Sequence, residues 1–331
     1  MARADLLTNL VKAERTGDRA AFKRTVESLI ADERSKRHNV LADRLASILN
    51  DHHDHGHKVG AVQAGWDNRI NRLVHQIDPE RKLTDLVLPR TLSANVSELI
   101  EEQHRSDLLR AHGEEPRHRV MCIGPPGTGK TSLAEAIAFE LMVPMIVVRY
   151  EGLIGKYLGE TNDRLRAVIE FASTRKCVLF FDEFDAIGKE RGDANDSGEI
   201  KRVVSSLLLQ LDALPSHVVV VVASNHDELL DRAVWRRFEL RLCLPMPSRK
   251  QRISWFSKFE NQLNSPLGLS PRTLADKLNG LSFAELEDFT RDVRRRCLLE
   301  SPDADIPEIV KRKLGQWQAR PKAPDQTQLN G

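Results

Sequence analysis

The octet Gly124-Pro125-Pro126-Gly127-Thr128-Gly129-Lys130-Thr131 constrains this chain more than any other feature. It follows the apolar run Arg119–Ile123 and opens a helix-forming stretch that continues from Ser132. A G-x-x-x-x-G-K-[ST] turn between a strand and a helix is the pattern of a phosphate-binding loop. Its glycines let backbone N–H groups turn inward around the β- and γ-phosphates, and the helix N-terminus adds partial positive charge. Lys130 is placed to bridge those phosphates, and the Thr131 hydroxyl to ligate Mg²⁺. Gly124–Ser132 is the expected nucleotide-binding segment.

A second signal lies 52 residues after Lys130, where the run Cys177–Phe181 ends in Asp182-Glu183. A carboxylate at the C-terminal end of a neighbouring parallel strand faces the phosphate loop. Asp182 is then expected in the Mg²⁺ shell, and Glu183 as the base that polarises an attacking water. Asp185 offers a third acid nearby, but reads more readily as a solvated residue at a helix start. The next apolar run, Val218–Val222, leads into Ala223-Ser224-Asn225, where the Asn225 amide can orient the same water from the far side. Arg236-Arg237, taken alone, read as solvated surface charges.

Short β-branched runs at Arg119–Ile123, Val143–Val148, Cys177–Phe181, Val218–Val222 and Leu240–Leu244 alternate with helical stretches. That pattern predicts a five-stranded parallel sheet buried on both faces. After Pro247 no strand signal remains, and Gln251–Phe259, Pro271–Leu278, Ala284–Leu299 and Ile306–Trp317 read as helices. The expected organisation is an N-terminal helical region 1–60, a linker 61–82, an α/β domain 83–246, a small helical domain 247–317 and a disordered tail 318–331. The stretch Asp51–Gly60 carries four of the eleven histidines. It reads as a polar linker rather than a metal site, because four imidazoles on one turn seldom enclose a metal without a fold around them.

Composition excludes several classes. Fifty Lys and Arg against 48 Asp and Glu leave a net charge of +2, so binding nucleic acid by bulk charge is disfavoured. No apolar run approaches the roughly 18 residues of a membrane span, and the N-terminus has no apolar core of a signal peptide. The cysteines Cys122, Cys177, Cys243 and Cys297 are widely spaced and read as reduced, mostly buried thiols. The expectation is a cytoplasmic protein without a membrane partner.

Taken in order, the phosphate loop, the acidic strand end, Asn225 and the Arg236-Arg237-Phe238 triplet resemble the AAA family of ATPases. The likeness covers roughly residues 83–315. It implies the αβα sandwich of P-loop NTPases with a helical lid, ATP and Mg²⁺ as cofactors, and ATP hydrolysis. Katanin and spastin, single-cassette remodellers of the family, also carry paired arginines directly before Phe, whereas FtsH-type modules place Pro-Gly between them. The chain looks like a bacterial-type stand-alone member. The resemblance makes Asn225 a sensor of the γ-phosphate and makes Arg236 and Arg237 fingers that reach a neighbouring subunit's site. It therefore implies a homo-oligomeric ring, usually a hexamer.

Within that resemblance, Lys156-Tyr157-Leu158, flanked by Gly155 and Gly159, looks like the loop with which such rings grip an extended polypeptide. The glycine-bounded stretch Gly188–Gly198 sits where a second pore loop would be, and equally suits an ordinary flexible loop. One departure concerns the small-domain signature, which reads Gly280-Leu281-Ser282-Phe283-Ala284-Glu285, with Phe283 where the family has glycine near the base. Contacts to the base are expected near Leu86-Val87, and no second sensor arginine is assigned. No peptidase motif is visible, so proteolysis would need a separate protease. The N-terminal helices match cargo- or adaptor-recruiting modules in size and position. The leading expectation is a ring that remodels, unfolds or disassembles proteins by pulling them through a pore. The alternatives are a nucleic-acid motor or loader, disfavoured by charge and by an aromatic rather than basic pore loop, and an ATP-dependent assembly switch.

Overall fold

The computed structural model describes residues 70–149, 153, 158–185, 197–226, 232–302 and 304–320, with the side chains of 158–159, 197–204 and 232–233 left out. These residues belong to one compact unit that begins at Asn68. The N-terminal region 1–60 with its histidines, the loop residues Lys156 and Tyr157, positions 188–196 and the tail beyond 320 lie outside the described residues.

The described residues begin with a helical stretch at 70–73, followed by strand β1 (Val74–Ile77), a 3₁₀ turn at Leu83–Asp85, and helices α1 (Arg90–His104) and α2 (Ser106–Ala111). Strand β2 (Arg119–Ile123) runs into helix α3 (Lys130–Glu140), followed by β3 (Met145–Val148), α4 (Leu158–Ser173) and β4 (Cys177–Phe181). Next come α5 (Ser197–Asp212), β5 (Val218–Ser224), α6 (Arg232–Trp235) and β6 (Leu240–Cys243). Helices α7 (Arg249–Leu263), α8 (Pro271–Lys277), α9 (Phe283–Glu300) and α10 (Ile306–Gln318) complete the described chain.

The five expected strands are all present, at nearly the expected bounds, and pair in parallel. A sixth adds to them. Val74–Ile77, inside the stretch read as linker, pairs antiparallel with β3 at the sheet edge, giving the order β1-β3-β4-β5-β2-β6. An edge strand with one paired side shows a weak sequence signal, and here His75 and Gln76 are exposed.

Alternation along the central strands divides the core into two layers. Met121, Leu179, Phe181, Val220 and Val222 point to the face covered by α4 and α5. Val120, Cys122, Val178, Phe180 and Val221 point to the face covered by α1 and α3. All seven residues of β5 are buried, as a strand covered on both faces must be. The result is an αβα sandwich.

The four C-terminal helices close around a separate core that includes Phe256, Phe289, Leu286, Ile309 and Trp317. Their starts are chemically marked. Ser248 and Ser282 form capping boxes with Gln251 and Glu285, and Ser270 and Asp305 cap α8 and α10. This helical lobe lies against the sandwich: Lys258 Nζ donates to Thr84 O at 2.7 Å, and Ala284 N–H donates to Gly127 O at 3.0 Å.

Candidate functional site

Parallel register brings the candidate residues together. Ile123 at the end of β2 pairs with Ser224 at the end of β5, and Phe181 at the end of β4 pairs with Val222. The residues just past those ends, Gly124, Asn225 and Asp182, therefore emerge side by side at one edge of the sheet. This is the crevice outside the carboxyl ends of strands where open α/β sheets bind ligands.

The loop from β2 to α3 needs glycine for reasons of space as well as torsion. A Cβ on Gly124 would lie 2.1 Å from Leu244 O, so the loop can pass β6 only with hydrogen at that position. Gly127 adopts φ +73, and a Cβ there would stand 2.7 Å from Ser282 Oγ in the helical lobe. Thr128 is buried, and its hydroxyl donates to Pro125 O at 2.8 Å.

Lys130 is only 7% exposed. Its ammonium donates to Gly124 O at 2.6 Å, Pro125 O at 3.0 Å and Asn225 Oδ1 at 2.7 Å. Burial pushes its pKa below the usual lysine value, with Asp182, Cys122 and Asp185 drawing it back up. Thr131 Oγ1 donates to Asp182 Oδ2 at 3.2 Å. That places two hard oxygen donors together in a set suited to Mg²⁺, which binds few protein ligands and completes its shell with water and phosphate oxygens. Among the described residues no group of three or more His, Cys, Asp and Glu could hold a metal.

Glu183 is exposed and adopts φ 48, a left-handed backbone that is uncommon outside glycine. Its own N–H donates to Asp182 Oδ1 at 3.0 Å, and the next N–H, of Phe184, donates to Ala223 O at 2.8 Å. Bonds on both sides thus hold the unusual turn and lift the carboxylate toward the cavity. Strain of this kind gathers at functional positions.

Asp185 departs from the sequence expectation. It is not a solvated helix-start residue but is 7% exposed. It accepts from Ser224 Oγ at 3.0 Å and from Asn225 N–H at 3.3 Å. Burying a carboxylate is costly without donors, and the end of β5 supplies two. The same bonds fix the backbone from which the Asn225 side chain reaches Lys130.

These groups surround one cavity of about 310 Å³. Pro126–Ser132, Asp182, Glu183 and Asn225 line it together with Leu86–Leu88, Trp255 and Phe283. Gly124 and Pro125 shape the loop without lining the cavity. Sequence reasoning placed Leu86 and Val87 here but missed Trp255, because an aromatic in a helix with an apolar face reads as core.

Arg236 and Arg237 stand elsewhere. Arg237 Nε donates to Asp212 Oδ2 at 2.7 Å, and the other oxygen of Asp212 takes Arg119 Nη1 at 2.9 Å. Arg119 begins β2, whose far end carries the phosphate loop. Five residues at ~3.3 Å each separate the two by roughly 16 Å. Arg236 is exposed, and neither arginine lines the cavity.

Comparison with known proteins bears directly on this geometry. Residues 120–246 match the ATPase family associated with various cellular activities (AAA). An uncharacterized AAA family ATPase of Sinorhizobium fredii is 35% identical over 303 residues, covering 91% of this chain and 91% of that protein. The chain belongs to the AAA family of ATPases. It is also 30% identical over 256 residues to the ATP-dependent zinc metalloprotease FtsH 3 of Sphaerobacter thermophilus, covering 74% of this chain and 52% of the relative. A 26S proteasome regulatory subunit 8 homolog of Encephalitozoon cuniculi is 35% identical over 188 residues, covering 55% of this chain and 48% of the relative. This AAA ATPase therefore spans about half the length of those two relatives.

As a member of the family the chain binds nucleotide and hydrolyses ATP. The AAA cavity holds the expected loop, acids and amide together, and leaves the arginine pair at the opposite end of the sheet. Of the expected pore loop only Leu158 is described, as the first residue of α4. No helix among the described residues is long and apolar enough to cross a membrane.

Proposed function

We propose that this AAA ATPase assembles with copies of itself into a ring, most simply a hexamer, and uses ATP hydrolysis to remodel, unfold or disassemble protein substrates. In this reading Lys130 and the inward N–H groups of the loop hold the β- and γ-phosphates. Thr131 and Asp182 would hold Mg²⁺, which when bound offsets phosphate charge. Asn225 orients a water, and Glu183 takes its proton as the water oxygen bonds to the γ-phosphorus and the bond to ADP breaks.

The observation that carries the ring is the placement of Arg237. A guanidinium about one strand length from its own phosphate loop cannot stabilise charge there, but it suits a subunit packed against that end of the sheet. A head-to-tail contact of this kind closes into a ring when its rotation permits.

Protein as the substrate class is supported by near-neutral charge, by Tyr157 between Lys156 and Leu158, and by relatives named as a metalloprotease and a proteasome regulatory subunit. The polypeptide would be drawn through a central pore, in the cytoplasm, with a separate protease or an adaptor bound by residues 1–60 as further partners. The test is ATPase rate with a permanently unfolded protein and with single- or double-stranded DNA. Stimulation by the unfolded protein alone is expected. Stimulation by DNA alone would replace the reading with a nucleic-acid motor, and a slow rate unaffected by either would favour an assembly switch.

A further inference from the structure

A second cavity, of about 180 Å³, adjoins the first, with Arg81, Trp255 and Glu287 in the lining of both. Helical spacing builds it. Trp255, Lys258 and Gln262 line it from α7, and Glu287, Arg291 and Arg294 from α9. Each set falls at i, i+3 or i+4, and i+7, so it occupies one side of its helix. The strap residues Arg81 and Asp85 complete the lining.

Charge in this cavity is unbalanced. Four cations, Arg81, Lys258, Arg291 and Arg294, stand against two carboxylates, Asp85 and Glu287. Glu287 Oε1 already accepts from Arg81 Nη2 at 3.4 Å and from Arg291 Nη2 at 3.2 Å. Lys258 Nζ donates to the carbonyls of Thr84 and Leu86, at 2.7 and 3.2 Å. Arg294 Nη2 donates to Gln262 Oε1 at 2.9 Å, and its guanidinium stands 5.9 Å from the centre of the Phe259 ring. Among the described residues neither Lys258 nor Arg294 meets a carboxylate.

We propose that this cavity is a second anion site, which takes a phosphate dianion, free or as the ester of a small molecule, while ATP fills the first. The excess of two positive charges matches a dianion, and a guanidinium fork matches phosphate oxygens in pairs. Phe259 and Trp255, in the same lining, offer apolar area to an ester group. The site also reaches the phosphate loop. Its strap is fastened to α3, because Arg81 N–H donates to Glu135 Oε1 at 3.3 Å and Leu83 N–H to Glu140 Oε1 at 3.0 Å. Lys130 is the first residue of that helix. A phosphate held by strap, α7 and α9 together ties the helical lobe to α3, so it and ATP strengthen each other's binding by the same factor.

The test fills the first site of the full-length protein with Mg²⁺ and a non-hydrolysable ATP analogue. Inorganic phosphate and phenyl phosphate are then titrated in by calorimetry. Saturable binding is expected, with phenyl phosphate the tighter if the ligand is an ester and inorganic phosphate if it is the free ion. Arg291 and Arg294 are exposed and do not line the first cavity. Arg291→Gln and Arg294→Gln should each weaken phosphate binding at least about tenfold, and keep affinity for the analogue within about twofold when phosphate is left out. Phosphate should also tighten the analogue in the parent and not in Arg294→Gln. No binding to the filled protein, or equal binding by both glutamine variants and the parent, would overturn the site. Phosphate that displaces the analogue, or leaves its affinity unchanged, would overturn the coupling.

Discussion

Lys130 and Asn225, 95 residues apart in the chain, meet at 2.7 Å where β2 and β5 end side by side. The contact is a product of parallel register. It brings a buried cation and an amide into direct contact in the lining of one cavity. Neither residue has another route to the other.

Lys130→Ala removes a buried cation aimed into the cavity. A charged hydrogen-bond donor of this kind contributes about 3 kcal/mol, so ATP affinity should fall roughly a hundredfold. Titration with a fluorescent ATP analogue measures it. Affinity within threefold of the unaltered protein would show that the ammonium does not meet phosphate.

Asp185 is the residue whose role changes most between sequence and structure. Asp185→Ala leaves the Asn225 N–H inside the protein without its acceptor, and leaves the Ser224 hydroxyl only His226 O, at 3.1 Å. The cost is about 2 kcal/mol of stability, read as a shift in the urea midpoint. Turnover should fall as well, because Asn225 loses the bond that fixes its backbone, while ATP affinity changes little. A variant as stable and as active as the parent would return Asp185 to the surface role first read for it.

Much of this site was legible before any coordinates. The phosphate loop, the acids ending β4 and the amide ending β5 follow apolar runs that can only be doubly covered strands. Their meeting point then follows from parallel order. Other features depended on partners far away in the chain. Asp185 is buried because Ser224, 39 residues later, donates to it. Trp255 turns from core residue to cavity wall only when α7 lies against the strap at Leu86–Leu88. Strand β1 escaped notice because Val-His-Gln-Ile has two exposed polar residues and so little period. Arg236 and Arg237 look like surface charge in isolation, and their distance from Lys130 exists only in three dimensions.

Tyr157 lies outside the described residues, and its role rests on Gly155-Lys156-Tyr157-Leu158-Gly159. A flat aromatic supplies apolar contact at small entropy cost. Tyr157→Ala should keep basal ATPase and assembly within about threefold, and lose both unfolding of a tagged substrate and stimulation by it. Loss of basal ATPase together with thermal stability would show a core tyrosine instead.

The central claim is that each site is completed by its neighbour. Arg237→Ala and Glu183→Gln proteins should each bind ATP and each turn it over at least a hundredfold slower than the parent, since a finger supplied in trans is worth about 10³–10⁵ in other nucleotidases. Steady-state ATPase of the two mixed in equal amounts is the decisive measurement. In a randomly assembled head-to-tail ring about a quarter of the sites then join an intact Glu183 to an intact Arg237 from the adjacent subunit. Activity should return toward that fraction of the parental rate. A mixture no more active than its two components, or full activity of Arg237→Ala as an isolated monomer, would contradict the account.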